Sequence, residues 1–469
     1  MGTIDIALVV MYLIVTLWIG YRSGRHVKTM EDYSVASKTL PTAALVATIF
    51  ATWAGGDDLV GTGEVYRLGI IFLIINLAQI INVALQAYVV APKILKNFSD
   101  KVSIGEIMGE LYGKVGRIMT GIATIGISLG RIAMQISCFG YLCALIPGIT
   151  HTEGIVIGSI IVILYSAYGG IRSVVYTDIL QFGILIVAIP IMANIALYNV
   201  GGIESLVSQV PDSYFSLSLF KTDFLTYFGI FCVCAFPHLG AALIQRTLMS
   251  KDAKQANHSL VIVGGLFIPF YVAVAIIALC AVITYPGCDP NTIFFTVLDK
   301  SLPPVIKGLA VVGVLAVIMS TADSHINVAS ISVTRDIALI LFPNISNKSQ
   351  LILARICTVV LGLGAIVLAT SMHRVVDFWV YCAKFWMPMI TAPMVLYLLN
   401  IRTNIKQYVF SAVIGTLATA INKSFGLKEL STCSPIIGML TTMSIMYIFY
   451  KISRKKINFQ KSENCLNGL

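Results

Sequence analysis

Apolar runs of about twenty residues, the length that crosses a bilayer as a helix, recur along the chain and are separated by short polar loops. Window hydropathy predicts thirteen such spans, at 4–22, 41–62, 69–94, 117–145, 153–169, 173–199, 223–245, 258–284, 305–339, 351–371, 375–399, 406–423 and 434–451. The ninth of these carries an unusual polar load. It contains A-V-I-M-S-T-A-D-S-H-I-N from Ala316 to Asn327, where Ser320, Thr321, Asp323, Ser324, His325 and Asn327 crowd the second half. Positions Val317, Ser320, Ser324 and Asn327 follow helical spacing and share a face. Hydrocarbon cannot solvate hydroxyls, amides or carboxylates, so this stripe must face protein, water or an ion.

Three other spans depart from plain hydrophobicity. The second reads A-T-W-A-G-G-D-D-L-V-G-T-G-E-V-Y from Ala51 to Tyr66, with four glycines and the adjacent carboxylates Asp57 and Asp58. Glycine lets the backbone leave helical geometry, and an interrupted membrane helix exposes carbonyls that can coordinate a cation. The bland alternative is close helix packing through small residues, and the two carboxylates weigh against it. Between the fifth and sixth spans, Gly169 and Gly170 predict a tight turn, and Asp178 follows one to two turns into the next helix. That acid either bonds locally to Thr177 or serves as a gate or ion-relay partner. In the seventh span, Phe236-Pro237-His238-Leu239-Gly240 predicts a second broken helix, with His238 read first as a packed histidine.

Composition agrees with a membrane protein and narrows little else. Hydrophobic residues make up 57% of the 469 and charged residues 12%, where soluble domains carry roughly a quarter charged residues. The ten cysteines fall mostly within apolar runs without CxxC or Cys/His spacing, which predicts packing residues rather than a metal or disulfide framework. The start of the chain lacks a basic n-region and a small-residue cleavage site, so the first run is expected to be a retained span.

The net charge of +10 acquires meaning from its placement. With the N-terminus outside, most basic residues fall on the inner face, from Arg22 and Arg25 through Lys93, Arg172, Lys251, Arg335 and Arg402 to the tail. The outer face receives only Arg67, Lys221, Lys300, Lys307, Arg374, Lys423 and Lys428. An error of one span would reverse every later loop, so this bias supports thirteen spans oriented N-out, C-in, and removes any need for a nucleic-acid partner. Arg131 and Lys384 stand apart because they lie well inside predicted spans.

Three separated motifs resemble one family. They are G-G-x-x-S-V-x-x-T-D-x-x-Q at 169–181, Gln245-Arg246, and A-V-I-M-S-T-A-D-S at 316–324, and together they resemble the sodium:solute symporter family over nearly the whole chain. The resemblance implies an all-α membrane protein with a LeuT-like core of two inverted five-helix repeats, plus one N-terminal and two C-terminal helices. The repeats would occupy 41–199 and 223–399. Residues 1–40 would hold the first helix and an inner loop, 200–222 an external loop, 400–452 the two extra helices and 453–469 a basic cytoplasmic tail. The interrupted second and seventh spans would then occupy corresponding positions in the two repeats, where transporter binding sites are found.

The family's sodium site, carried over residue by residue, implies Ala51, Ala54 and Val317 through carbonyls and Ser320 and Thr321 through hydroxyls. A small cage of neutral oxygens suits a hard cation that must also leave. Asp178 matches the acid associated with gating and ion release. In motif the chain resembles the choline-transporter-like branch, whose aromatic cage Trp53 and Trp379 would match by cation–π attraction. It departs where that branch has tryptophans, here Arg131 and Gly240, and where it has an aspartate, here Lys384. Positive charge at those places would repel a choline-like cation. Arg131 and Lys384 either pair with Asp57, Asp58, Asp178 or Asp323, or one of them, Arg131 foremost, receives a substrate carboxylate. Asp57 or Asp58 would then meet a substrate amine or a second cation.

The expectation is a sodium-coupled symporter, not an enzyme, importing a small carboxylate-bearing solute such as an amino, imino or organic acid by alternating access. No cofactor is implied beyond sodium as coupling ion. The chain is expected to act as a monomer in the plasma (inner) membrane, with the lipid bilayer, sodium and a small solute as its partners. The other readings are a choline or betaine importer, a proton-coupled transporter using the carboxylates and His238, and a transporter-like solute receptor.

Overall fold

A computed structural model describes residues 2–25, 27, 29–146, 148–217, 224–237, 239–371, 375–424 and 434–466, with side chains excepted at 37, 225, 375–380, 421–424 and 455–466. Every regular element among these residues is helical. Among them, eight helices are long and apolar enough to cross a membrane, or nine when one bent pair is counted as a span.

The first helix, α1 (Thr3–Gly24), leaves Ile4, Val10, Met11, Ile14 and Trp18 exposed, as a helix with a lipid-facing side must. Then comes the bent pair. Helix α2 (Thr42–Trp53) stops, and the chain resumes as α3 (Gly56–Val60) and α4 (Thr62–Leu68), at 52° to the first piece. The next span, α5 (Ile70–Leu85), continues through a π-helical turn at Gln86–Val90 into Ala91–Phe98. Pro92 follows that turn, and its missing N–H explains why the ladder widens there.

Two of the longest helices are broken within their length. Helix α6 (Ile104–Cys143) breaks at Gly113 and α7 (His151–Asn199) at Gly170, both glycines with positive φ, 69° and 56°. At 1.5 Å per residue α7 would reach about 74 Å if straight, more than twice the roughly 30 Å hydrocarbon layer. The hinge makes it two helices, and a side chain at Gly170 would collide with the Tyr33 ring. The two-glycine turn expected there from sequence is present as a reversal of backbone hand at a single residue, with helix on either side.

The second interruption separates α8 (Phe224–Ala235) from α9 (Ala241–Leu248), with Leu239 at φ 50° between them; His238 lies outside the described residues. After α10 (Ala253–Thr284) comes α11 (Ile306–Ile331), extended by a π-helical stretch at Ser332–Ala338. Among the described residues there follow α12 (Asn347–Ser371), α13 (Val375–Trp386), which runs on through a π-helical turn at Met387–Thr391 into Ala392–Leu398, α14 (Ile405–Ser424) and α15 (Ser434–Leu466).

Helix α11 is the axis of the packing. The most apolar stretch of the span Ile306–Leu341 is 89% buried, against 22% for α1, because α1, α2, α6, α7 and α12 all pack on α11. Its N-terminus is capped from another helix. Asp5 Oδ1 of α1 accepts from the backbone N–H groups of Val305 (2.8 Å) and Gly308 (3.1 Å). Two orphan donors that a helix start exposes are satisfied this way, by a carboxylate the N-terminal end of a helix dipole favours.

Candidate functional site

The break in the α2–α3 segment begins with hydrogen bonds that do not form. In a continuous helix the Ala51 carbonyl would accept from Gly55 N–H and the Ala54 carbonyl from Asp58 N–H. Here Ala54 turns to ψ 106° and Gly55 to φ −114°, ψ 172°. Gly55 N–H then donates to Asp58 Oδ2 (2.9 Å), and Asp58 N–H to the Gly55 carbonyl (3.0 Å). Two buried carbonyls, Ala51 and Ala54, are thereby left without helical partners and need others.

Helix α11 supplies them. Ser320 Oγ donates to the Ala51 carbonyl (2.8 Å) and to the Val317 carbonyl one turn back on its own helix (2.9 Å). Thr321 Oγ1 reaches both Ala54 O (3.1 Å) and Ala51 O (3.3 Å). The structure thus brings together Ala51, Ala54, Val317, Ser320 and Thr321, five positions from two helices more than 260 residues apart, as one cluster of neutral oxygens at 1% exposure or less. An all-oxygen set of this kind fits a hard monovalent cation and offers nothing to a soft one.

One turn along α11 the chemistry changes to charge. Ser324 Oγ contacts Thr52 Oγ1 (2.9 Å) and accepts from Arg246 Nη2 (2.6 Å). The Arg246 side chain is fully buried, and its other arm donates to Gln245 Oε1 (2.7 Å). The same guanidinium lies 3.9 Å from Asp178 Oδ2, which Thr48 Oγ1 also meets at 2.5 Å. Asp178 is therefore held by α2 and α9 rather than by Thr177, whose hydroxyl bonds back to Ser173 and Val174. Gln245 Nε2 spans Ser34 O (2.7 Å) and Asn327 Oδ1 (3.1 Å), tying the next turn of α11. Asp323 faces another way and accepts from Tyr165 of α7 at 2.7 Å.

Of the substrate-site candidates, Trp53, Asp57 and Asp58 lie at the break itself, and Arg131 reaches it from α6. Trp53 is half-buried and meets Phe267 edge-on with ring centroids 5.8 Å apart. Asp57 is bonded to Arg131, each about a fifth exposed, and its Oδ1 accepts from Gln135 Nε2 at 2.8 Å. Of the two arrangements open from sequence for Arg131, the structure has the ion pair with Asp57. Asp58 is committed to the Gly55 amide and to Tyr271, whose hydroxyl donates at 3.2 Å, so it acts first as the cap of the resumed helix. Gly240 faces open space where a side chain would stand. Lys384 is half-buried on α13, two residues after Cys382, whose thiol approaches Gly126 O of α6. The Trp379 side chain lies outside the described residues.

Gln135 is the residue sequence reasoning missed. Fully buried, it grips both Asp57 and the Gly56 N–H, the latter at 2.7 Å. Its signal was present: a glutamine one turn after Arg131 on the same face of an apolar helix.

A profile of the sodium:solute symporter family matches residues 33–415. The chain is similar to the high-affinity proline transporter of Bacillus subtilis, 24% identical over 77% of this chain and 79% of the relative. It is similar to the sodium/pantothenate symporter of Escherichia coli, 22% identical over 94% of each. The high-affinity choline transporter 1 of Drosophila melanogaster is 23% identical over 90% of this chain and 70% of its own length. Among solved structures, a Na+-coupled sialic acid symporter in a substrate-bound outward-open state matches with a TM-score of 0.84, over 96% of this chain and 98% of that one, at 18% identity. MhsT in complex with L-phenylalanine matches at 0.51, 15% identity, over 88% and 98%. Structural matches at identities this low establish a shared fold alone.

Proposed function

We propose, from the premise that the chain belongs to the sodium:solute symporter family, that it couples inward sodium movement to import of a small carboxylate-bearing solute by alternating access. Membership makes it a multi-pass plasma-membrane transporter and not an enzyme. On this reading thirteen spans run N-out, C-in, with inverted repeats at 41–199 and 223–399 and the two interrupted helices opening each repeat. The protein acts as a monomer.

The observation that carries the ion assignment is the pair of hydroxyls, Ser320 and Thr321, seated on the two carbonyls that the helix break releases. Sodium replaces the hydroxyl protons as the partner of Ala51, Ala54 and Val317 oxygens, and holds α11 against α2. It leaves along the polar face past Ser324, Thr52 and Asp178. Solute binds beside Trp53, Asp57, Arg131 and Gly240, with Trp379 and Lys384 completing the pocket from α13. A carboxylate on the solute competes with Asp57 for Arg131, whose planar fork suits two oxygens at once.

A quaternary ammonium solute is the second reading, and one observation favours it. Asp57 neutralises Arg131, which removes the positive charge that would repel such a cation, while the half-buried Trp53, backed by the buried Phe267, offers an aromatic ring. Uptake into proteoliposomes distinguishes these readings. Under an inward sodium gradient, L-proline and pantothenate on one side and choline and glycine betaine on the other are tested as probes, with a pH gradient in sodium-free buffer as the proton-coupled control. Accumulation driven by the pH gradient alone, or binding without accumulation, overturns sodium symport.

A further inference from the structure

The helix break must be held open by something other than the ion, because it also has to exist when the ion has left. Two helical pieces of 12 and 5 residues, meeting at Ala54 and Gly55, would otherwise regain a hydrogen bond at Gly56 by refolding into one. The bond in question runs from Gly56 N–H to the Thr52 carbonyl. In the structure Gly56 N–H goes instead to Gln135 Oε1 of α6, at 2.7 Å. The other end of the same amide, Nε2, donates to Asp57 Oδ1 at 2.8 Å. One buried side chain therefore takes the first amide of the resumed helix and the carboxylate of the following residue.

Space around the break leaves little alternative. A side chain on Gly55 would meet Asp57 Oδ1 first, then Gln135 Nε2 at 2.9 Å and Thr321 Oγ1 at 3.3 Å, and one on Gly56 would lie 3.0 Å from Gln135 Oε1, Cys138 Sγ and Ile318. The two peptide units between Ala54 and Gly56 are thus squeezed between Gln135 on one side and the Thr321 turn of α11 on the other. Thr321 holds the Ala54 carbonyl, and Gln135 holds the amide two residues later. Arg131, one turn before Gln135 on the same helix, bonds the second oxygen of Asp57.

We propose that Gln135 is a positioning residue for the sodium site, a two-pronged clamp that fixes the Ala54 and Ala51 carbonyls by holding Gly56 and Asp57. The inference rests on the sodium reading of the Ala51, Ala54, Val317, Ser320 and Thr321 oxygens. Gln135 touches none of these oxygens; it acts through the backbone. It also connects the site to the pocket, since a solute that draws Arg131 off Asp57 changes the load on the Gln135 amide and, through Gly56, on the carbonyls that meet sodium.

The test uses the purified full-length chain in detergent micelles, with sodium titrated against potassium at constant ionic strength and followed by thermal shift and tryptophan fluorescence. Gln135→Leu removes both bonds and raises the sodium midpoint about tenfold, the effect of losing roughly one good hydrogen bond. Gln135→Glu keeps the acceptor for Gly56 but sets a carboxylate against Asp57, and weakens sodium at least as much. Asp57→Asn combined with Gln135→Glu reverses donor and acceptor, keeps one carboxylate beside Arg131, and returns the midpoint to within about threefold of wild type. A merely packed glutamine predicts no such rescue. If Gln135→Leu misfolds by size exclusion, the single and double Glu variants carry the test alone. A wild-type chain with no sodium-specific shift overturns the sodium reading and this inference with it. A wild-type shift that Gln135→Leu reproduces, or a double variant no better than Gln135→Glu, overturns this inference only.

Discussion

Ser320 Oγ donates to the Ala51 carbonyl at 2.8 Å although the two residues are 269 positions apart, and it is the only hydroxyl among the described residues that bonds both that carbonyl and the Val317 carbonyl of its own helix. Without the break at Ala54 the Ala51 oxygen would be occupied within its helix. With α11 packed on α2 but no hydroxyl facing it, that oxygen would be buried and unpaired, at a cost of about 1–3 kcal/mol. The contact therefore links a local backbone event in one half of the chain to side-chain chemistry in the other.

Removing these hydroxyls tests what the cluster is for. Ser320→Ala and Thr321→Ala each delete one of five oxygens and are expected to raise the sodium concentration for half-maximal uptake about tenfold or more, with the double variant losing sodium dependence altogether. Thr321→Ser keeps the oxygen and should stay near wild type. Sodium titration of uptake in proteoliposomes reads this directly. A double alanine variant with unchanged sodium dependence would remove the cluster from the ion path.

Asp58 is expected to matter as a cap before it matters as a charge. Its Oδ2 holds Gly55 N–H and its Oδ1 receives Tyr271. Asp58→Ala loses both and should lower apparent thermal stability by about 1 kcal/mol, the usual value of such a cap, and weaken sodium through the freed Gly55 amide. Asp58→Asn retains an acceptor oxygen and should lose much less. Melting of the purified variants with and without sodium separates the cases, and equal loss from Asn and Ala would show that the charge of Asp58 outweighs its capping.

A pair of glycines on α7 makes an internal control. Gly170 has φ 56°, and a Cβ there would run into the Tyr33 ring, whereas Gly183 lies in regular helix with no atom within 4 Å of a Cβ. Gly170→Ala should destabilise by about 1–2 kcal/mol from backbone conformation alone, with the clash in addition. Gly183→Ala should be neutral or stabilise by up to about 1 kcal/mol. Thermal melts that rank the two the other way would place the hinge elsewhere.

How much of this was legible depended on whether a signal was local. The glycine pairs at 55–56 and 169–170 announce interrupted helices, although only Gly170 occupies a positive φ that other residues avoid, and the Ser320–Thr321 pair stands out in an apolar helix. Asp58 and Gln135 looked different in sequence from what they do. A carboxylate in a span reads as a ligand, yet Asp58 satisfies a backbone amide three residues back, which becomes visible only once the helix is seen to stop at Trp53. Gln135 is polar on an apolar face like many packed residues, and its role follows from α6 lying against the break. Arg131 presented a choice between partners that spacing alone does not make, since Asp57 is 74 residues away. Trp379 and His238, both singled out by sequence, lie outside what the structure describes of side chains.

Arg131 also discriminates between the two classes of solute, and the arithmetic of charge says how. In the structure it is neutralised by Asp57. If the solute carries a carboxylate, that group takes a guanidinium edge at Asp57's expense, and Arg131→Gln removes a charge-assisted contact worth about 1.5–3 kcal/mol, so the half-saturating solute concentration rises roughly tenfold to hundredfold. If the solute is a quaternary ammonium ion, Arg131→Gln instead leaves Asp57 unneutralised beside Trp53, and affinity rises or holds. Arg131→Lys keeps the charge but not the planar fork, so it should fail to rescue a carboxylate solute fully. Concentration dependence of uptake for L-proline and for choline, in wild type and both variants, reads the sign. A fall with Arg131→Gln for proline names the carboxylate class, a rise for choline names the cationic one, and equal kinetics for all three proteins would take Arg131 out of solute recognition and leave it as the partner that holds Asp57 to α6.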